Sequence, residues 1–254
     1  MYPSIQIGHV LLPTFGIFLW AAVLVLVLIS ALRARLNGLD LVAVVGAVLA
    51  GVAGFAVAGW LFHDSLQRPA TDSGTSGDAL AAVAAMVAWA GVRRVRLLQL
   101  ADCLAPPFAL FIVLVRVGCF LAGCDFGRPT GHAWGVTYTD GLALAWYGTP
   151  LGIPLHPTQL YESAVAMVLF GLLIFYQRHL PPEGMVFSAF AASFTACRFF
   201  LGFLRGDAGR GFPGPLSASQ WLCILAFAAV LLSRVYVRNP SGGRVTRSEV
   251  SSHR

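Results

Sequence analysis

Residues 106–123 read PPFALFIVLVRVGCFLAG, an apolar run that holds one charged side chain, Arg116. The run is long and apolar enough to lie in a lipid bilayer, which a helix of about 20 such residues can span. An arginine at mid-membrane depth costs about 2.5–3.5 kcal/mol on the most lenient insertion scale, and its guanidinium stays protonated. Arg116 must therefore face a polar cavity, a carboxylate or an anionic ligand.

A second arginine, Arg198, repeats the pattern in the later apolar run SFTACRFFLGFL at residues 193–204. Two guanidiniums in apolar segments that contain few carboxylates predict a site for an anion. The alternative interpretation is that each arginine pairs with an acid and only orders the helix bundle.

The composition indicates the fold class. Of the 254 residues, 57% are hydrophobic and 11% are charged, whereas soluble domains carry about 25% charged residues. We therefore predict an all-α polytopic membrane protein in which residues 1–237 form one bundle and residues 238–254 form a disordered cytoplasmic tail. The seven predicted transmembrane helices lie at about 10–32, 41–62, 77–92, 104–122, 160–177, 183–203 and 216–237.

The distribution of arginines predicts an orientation with the N-terminus outside and the C-terminus in the cytoplasm. In that orientation most arginines flank the cytoplasmic ends of the spans, as the positive-inside rule requires. Nucleic-acid binding, the other interpretation of a net charge of +6, is disfavoured because these charges do not form one face. No lysine or arginine precedes the first apolar run, so we predict a retained membrane helix and not a signal peptide.

The stretch between the fourth and fifth spans, about 123–159, is rich in glycine, proline and aromatic residues. Aromatic side chains of this kind gather at membrane interfaces, and the segment WGVTYTD alternates like a short strand. We predict an extracytoplasmic cap of loops and short strands here.

The predicted topology brings several polar side chains to one depth near the outer leaflet. This set contains Arg116, Arg198, Arg205, His156, Gln159 and Glu162. Anionic groups at that depth are phospholipid phosphates, whose geometry an arginine fork matches. An arginine would also stabilise the charge that develops on a departing phosphate.

The roles of the remaining groups stay open on the sequence alone. Glu162 is a general base, a partner that holds an arginine, or both. His156 is either a base or a cap for the fifth helix, with Pro157 at its first position. Asp102 is expected to start the fourth helix. Asp125 is expected to be solvated or paired with Arg128.

Four segments resemble bacterial prolipoprotein diacylglyceryl transferases in order and spacing: ADCLAPPFALFIVLVRVGCFLAGCDFGRPT, HPTQLYES, CRFFLGFLRGD and LSASQW. The resemblance covers most of residues 10–237 and implies seven transmembrane helices in a bacterial inner (plasma) membrane. It implies transfer of diacylglycerol from phosphatidylglycerol, or a similar anionic phospholipid, to the lipobox cysteine thiol of a prolipoprotein signal peptide. A thioether forms, glycerol phosphate leaves, and no metal or cofactor is implied.

The resemblance also implies a set of site residues. Arg116 matches the arginine that handles the lipid headgroup, and Arg198 and Arg205 match two later arginines. The other matched positions are Gly127 and Arg128, which close the signature, and His156, Gln159, Tyr161 and Glu162, which form the HPxQLYE block.

Several positions depart from the family pattern. Two asparagines become Cys119 and Ala122, and glutamates become Cys124 and Gly202. A tyrosine becomes Phe15, and a His-Gly-Gly stretch aligns with residues 76–78, where Asp78 is a possible substitute base. The base for the acceptor thiol is therefore open between Asp78 and His156.

The two cysteines of the signature lie about 140° apart on a straight helix. A disulfide between Cys119 and Cys124 is therefore not expected unless the helix breaks at Gly123.

Two rival functions remain at this stage. One is a transferase of the same fold that uses another lipid or acceptor. The other is a phospholipid-binding membrane protein without turnover, which the replaced positions favour. A transporter is disfavoured because the charges gather at one side and not at the midplane between repeats.

Overall fold

The computed structural model describes residues 2–7, 10–61, 72–206 and 216–238. Of the predicted tail, 238–254, Arg238 is the last residue of a helix, and residues 239–254 lie outside the described residues. The described chain is predominantly helical. Its helices are α1 (Thr14–Leu36), α2 (Leu41–Gly59), α3 (Asp72–Val92), α4 (Leu97–Ala122), α5 (Gly141–Tyr147), α6 (Thr158–Gln177), α7 (Met185–Leu201) and α8 (Ala218–Arg238). Its strands are β1 (Ser4–Ile7), β2 (Val10–Pro13), β3 (Val136–Thr137) and β4 (Pro154–Leu155).

Five of these helices are long and apolar enough to cross a membrane: α1, α2, α4, α6 and the helical segment Met185–Leu204 that includes α7. Two shorter apolar stretches, Gly77–Val92 and Ala218–Leu232, coincide with the third and seventh predicted spans. Helix α1 exposes Trp20, Leu24, Leu28 and Leu32 at every fourth position, which is the apolar stripe that lipid would cover. The prediction of an all-α polytopic membrane protein is thus confirmed, while the count of seven spans and the orientation remain predictions.

Helix α4 lies at the centre of the bundle, packed against α1 on one side and against α6 and α7 on another. It begins at Leu97, seven residues before the predicted start, and continues through the buried Pro106 and Pro107. Proline usually ends a helix because it removes a hydrogen bond. Here the first turns are retained because Leu100 and Leu104 pack into the core that α1, α2 and α3 share.

The N-terminus differs from the sequence prediction. Residues 10–13 were expected to begin the first span, but they form β2, which pairs antiparallel with β1. Helix α1 begins at Thr14, whose backbone N–H donates to the Pro3 carbonyl at 2.9 Å. The Thr14 hydroxyl donates to the Tyr2 carbonyl at 2.5 Å. The hairpin therefore satisfies polar groups at the start of this helix.

Asp102 does not start α4, as the sequence suggested, but lies inside it. Its carboxylate accepts hydrogen bonds from the backbone N–H groups of Gly184 at 2.5 Å and Phe187 at 2.8 Å. Gly184 is the N-cap residue of α7 and Phe187 lies in its first turn, where backbone N–H groups have no partner within the helix. Asp102 thus caps α7 and joins it to α4.

The region between α4 and α6 forms a small cap with its own apolar core. Strand β3 pairs antiparallel with β4. The side chains of Tyr138 and Leu155 are almost fully buried in a core to which α5 also contributes. The Tyr138 hydroxyl donates to the Phe120 carbonyl at 3.0 Å and so anchors the cap on the end of α4. The sequence prediction missed α5, although Asp140 supplies a side-chain N-cap and Gly148 a left-handed C-cap.

Candidate functional site

Beneath the cap, the end of α4, the beginning of α6 and the end of α7 meet. Arg116 lies in the second-last turn of α4, Glu162 in the second turn of α6, and Arg198 in the last turn of α7. Because α6 runs opposite to the other two helices, the three side chains reach the same depth. The structure thus brings together side chains that the sequence predicted to converge.

Glu162 is the centre of this cluster. Its side chain is 3% exposed, and its carboxylate lies 2.7 Å from Arg116 Nε and 2.6 Å from Arg198 Nη1. Arg205 Nη1 lies 4.0 Å from the same carboxylate. Glu162 is therefore a partner that holds arginines in place, which is one of the two roles that the sequence left open.

A second carboxylate, Asp125, completes the cluster, and the sequence prediction of its role is wrong. It does not pair with Arg128: one oxygen binds Arg116 Nη1, and the other lies 2.6 Å from Arg205 Nη2. Burial acts to raise the pKa of Asp125, but the nearby guanidiniums of Arg116, Arg205 and Arg198 hold it below its ordinary value. Asp125 therefore stays ionised at neutral and mildly acidic pH.

The position of Asp125 depends on two left-handed backbone conformations. Gly123 follows α4 with a φ of 96°, and Asp125 itself has a φ of 56°. Glycine adopts such values without steric cost, and aspartate tolerates them better than most residues. The turn directs the carboxylate back toward the last turns of α4. The glycine at the helix end was a signal for this turn that the sequence prediction did not use.

The five side chains form a cluster, named here the arginine cluster: Arg116, Arg198, Arg205, Glu162 and Asp125. Three guanidiniums face two carboxylates, so the formal charges of these five side chains sum to +1. The side chains are between 3% and 30% exposed. A partly buried excess of positive charge favours the binding of one anion.

An extended segment at Gly127 and Arg128 holds the cluster against the cap. The backbone N–H of Arg128 donates to the Leu204 carbonyl at 2.8 Å, and the Arg128 carbonyl accepts from His156 N–H at 3.0 Å. Arg128 Nε also donates to the Arg205 carbonyl at 3.2 Å. These hydrogen bonds therefore join the segment to the backbone beside Arg205 on one side and to the backbone of His156 on the other.

Gly127 is required for this close approach. A Cβ atom at this position would lie 2.3 Å from the His156 carbonyl oxygen and 2.7 Å from His156 Cβ. We expect Gly127→Ala to lower the free energy of unfolding by about 1–3 kcal/mol, the usual range for overpacking. Denaturant unfolding of the purified protein measures this loss. Gly131→Ala is the matched control, because a Cβ at Gly131 meets no atom within 4 Å, and an equal loss in both variants would contradict the account.

The side chain of His156 does not cap α6, which corrects one of the two roles suggested for it. Pro157 is the N-cap residue and not the first helical residue, and no side-chain cap hydrogen bond is present at this helix start. Instead, His156 Nδ1 lies 3.3 Å from the Tyr161 hydroxyl, which also accepts a hydrogen bond from Trp134 Nε1 at 2.9 Å. His132 stacks on Trp134 with ring centroids 4.5 Å apart. These side chains form a polar and aromatic group at the edge of the cap.

Two other predicted site residues have different surroundings. Gln159 is buried, and its side-chain amide donates to the Cys124 carbonyl at 2.6 Å, so it supports the turn that carries Asp125. Asp78 is buried on α3, where its carboxylate lies 3.8 Å from the position that a Cβ on Gly59 of α2 would occupy. The structure therefore places Asp78 at the contact between α2 and α3.

One departure from the family pattern has a structural counterpart. At Gly202, where the resemblance implies a glutamate, a Cβ would lie 2.9 Å from Gln220 Cγ. The Gln220 amide donates to the Phe199 carbonyl at 3.1 Å, and its side-chain oxygen accepts from Ser217 N–H at 2.9 Å. The glutamine of α8 therefore fills the space that a side chain at position 202 would need.

A group that could offer metal ligands in the described chain consists of Cys119, Cys124 and Asp125, whose ligand atoms lie within 4.8 Å of one another. Both Asp125 oxygens already bind guanidiniums. A cation at this place would be repelled by the excess positive charge of the cluster. The surroundings therefore suit an anion better than a metal ion.

Comparison with known proteins identifies one family. The family model described as prolipoprotein diacylglyceryl transferase matches residues 3–236. A protein of Clostridium tetani named phosphatidylglycerol–prolipoprotein diacylglyceryl transferase is 38% identical over 127 residues, which are 50% of this chain and 49% of that protein. A protein of the same name from Methylococcus capsulatus is 28% identical over 217 residues, 81% of this chain and 79% of its own length.

A third relative, phosphatidylglycerol–prolipoprotein diacylglyceryl transferase 2 of Clostridium perfringens, is 35% identical over 153 residues, 60% of this chain and 56% of that protein. The chain thus spans about half the length of the two clostridial relatives that it matches.

Proposed function

Because the chain belongs to the prolipoprotein diacylglyceryl transferase family, we propose that it transfers a diacylglyceryl group from phosphatidylglycerol to the lipobox cysteine thiol of a prolipoprotein. The relatives named above carry this activity in their names. The proposed setting is the outer leaflet side of a bacterial inner membrane, where the enzyme meets its lipid substrate and the signal peptide of the prolipoprotein. No nucleic acid and no cofactor takes part.

One observation supports this proposal above the others: the arginine cluster brings three guanidiniums together around two carboxylates, and the formal charges of these five side chains sum to +1. The phosphodiester of phosphatidylglycerol carries one negative charge, so a bound headgroup would neutralise the cluster. Guanidinium groups match phosphate oxygens with paired hydrogen bonds. Glu162 and Asp125 then serve to position Arg116, Arg198 and Arg205 around the phosphate.

The chemistry requires that negative charge grow on the phosphate. The sulfur of the acceptor thiolate attacks the diacylglyceryl carbon, a carbon–sulfur bond forms, and the carbon–oxygen bond to phosphate breaks. The electron pair of that bond leaves with glycerol phosphate. The guanidiniums of the cluster stabilise this developing charge more strongly than the charge of the bound lipid, which lowers the barrier.

The thiol proton must pass to a base, and we assign this role to His156 and not to Asp78. An imidazole is the side chain that most often acts as a general base in enzymes. His156 belongs to the backbone segment that pairs with Arg128, beside the bridge between Gly127 and Arg205. Tyr161 contacts the imidazole and orients it. Asp78, in contrast, lies at the contact between α2 and α3.

Complementation tests the proposed function. A bacterial strain depleted of its own diacylglyceryl transferase receives the wild-type chain, Arg198→Ala or Arg178→Ala. Arg178 is the exposed C-cap residue of α6, at the opposite end of that helix from Glu162, and serves as the control. We expect growth with wild type and Arg178→Ala and no growth with Arg198→Ala. Failure of the well-expressed wild-type chain to restore growth would contradict the proposal and favour a lipid-binding role without turnover.

A further inference from the structure

Two cysteines that the proposed reaction does not use lie at the end of α4: Cys119 in its last turn and Cys124 just after it. Helix α4 ends at Ala122, and Gly123 has left-handed backbone angles while its N–H donates to the Cys119 carbonyl at 2.8 Å. A left-handed residue at this position reverses the chain and returns the following side chain over the last helical turn. The helix break that a Cys119–Cys124 contact requires is therefore present.

The two thiols are close as a result. Their Sγ atoms lie within 4.8 Å of each other, and Cys124 Sγ lies 3.7 Å from the Cys119 carbonyl oxygen. Both cysteines are free. The two sulfur atoms of a disulfide lie about 2.05 Å apart. Both side chains would have to rotate to bring the Sγ atoms to this distance. Cys124 is partly exposed while Cys119 is buried, so an external reagent meets Cys124 first.

We propose that Cys119 and Cys124 form a redox site, in which thiol–disulfide exchange with an external disulfide converts the pair reversibly to an intramolecular disulfide. The thiolate of Cys124 attacks the external disulfide, forms a mixed disulfide and releases one thiol. The thiolate of Cys119 then attacks the Cys124 sulfur and releases the second thiol. Two electrons pass from the cysteine pair to the external disulfide, and the two cysteine protons end on the released thiols.

The redox site lies directly against the arginine cluster. Cys119 Sγ lies 3.7 Å from Asp125 Oδ2, within range of a weak S–H hydrogen bond to the carboxylate that holds Arg116. Oxidation removes this S–H donor. It also draws Cys119 and Cys124 together, and Cys124 is the residue before Asp125. The disulfide therefore removes one contact that positions the Asp125 carboxylate at Arg116, and so weakens the cluster. This consequence for activity rests on the proposed function, whereas formation of the disulfide does not.

The chemical partner is a small or protein-borne disulfide on the extracytoplasmic side, where disulfides form and persist. The neighbouring Cys119 thiol and burial raise the pKa of Cys124, so its thiolate is scarce at neutral pH and exchange speeds up in alkaline solution.

The test treats the full-length protein in membrane vesicles with 2-hydroxyethyl disulfide at alkaline pH, followed by alkylation and peptide mass spectrometry. We expect a cross-linked 119–124 peptide whose mass is lower by two hydrogens, and recovery of both thiols with dithiothreitol. Cys124→Ser should abolish the cross-link, and Cys197→Ser, at another partly buried cysteine, should leave it unchanged. Free thiols at both positions, a stable hydroxyethyl adduct on Cys124, or a bond to another cysteine would each overturn the proposal.

A second readout separates the redox site from the proposed function. If the protein is a transferase, oxidation should lower the wild-type transfer rate about tenfold, the effect of losing about 1.4 kcal/mol of binding in the cluster. Dithiothreitol should restore the rate, and the oxidant should not affect Cys124→Ser. Equal rates in the oxidised and reduced wild type would overturn the link between the redox site and the cluster. Absence of transfer in every sample would instead contradict the proposed function and leave the mass measurement valid.

Discussion

Replacing Arg116 by lysine should reduce the rate of diacylglyceryl transfer by at least about 100-fold, the usual cost of removing a group that stabilises developing charge. Arg116 contacts two carboxylates through different nitrogen atoms, with Nε at Glu162 and Nη1 at Asp125. A lysine keeps the positive charge but has one nitrogen, so it cannot hold both acids and also face a phosphate. The loss of transfer rate should therefore come from the different geometry of the side chain, because its charge is unchanged.

The measurement is the initial rate of label transfer from phosphatidylglycerol to a lipobox peptide in detergent. Arg96→Lys is the matched control because Arg96 pairs with Glu183 at an exposed site, where ion pairs contribute about 0–1 kcal/mol. We expect its rate to stay within about twofold of wild type, since a surface pair far from the cluster adds little. An Arg116→Lys variant that kept the wild-type rate would remove Arg116 from the mechanism.

Glu162→Gln should lower the free energy of unfolding by about 3–5 kcal/mol, the cost of breaking a buried ion pair from one side. The Glu162 carboxylate neutralises Arg116 and Arg198 at the same time. Its loss leaves these guanidiniums close together in a poorly solvated place, where they repel each other. Denaturant unfolding of the purified protein, followed by tryptophan fluorescence, measures the change.

Two further variants make this stability measurement specific. Glu183→Gln removes a carboxylate that is 44% exposed and should cost less than about 1 kcal/mol. Adding Arg198→Met to Glu162→Gln removes one of the unpaired cations and should restore part of the lost stability. Equal stabilities of Glu162→Gln and Glu183→Gln would show that Glu162 does not bind the arginines in the membrane.

The arginine cluster could be predicted in part from the sequence, because it depends on two simple rules. An arginine in an apolar run must find a polar partner, and alternating span directions put the ends of α4 and α7 beside the beginning of α6. These rules place Arg116, Arg198 and Glu162 together. They use the depth of a residue along a helix, which hydropathy and charge bias reveal.

Other features could not be predicted because they depend on local backbone conformation or on long-range contacts. Asp125 reaches Arg116 because Gly123 and Asp125 adopt left-handed angles, and hydropathy carries no information about such angles. Asp102 binds the N-cap residue of α7, Gly184, which lies 82 residues later in the chain. The side chain of His156 contacts the Tyr161 hydroxyl in the first turn of α6, and no side-chain cap hydrogen bond is present at this helix start.

In the proposed mechanism, the arginine cluster binds the phosphate of a phospholipid and stabilises its departure. The most direct measurement uses phosphatidylglycerol labelled both in the headgroup glycerol and in an acyl chain, with purified protein and a lipobox peptide. We predict that headgroup label appears in water as glycerol phosphate and acyl label appears on the peptide in equal amounts, and that Arg198→Ala abolishes both. Binding of the lipid without release of glycerol phosphate would contradict the claim.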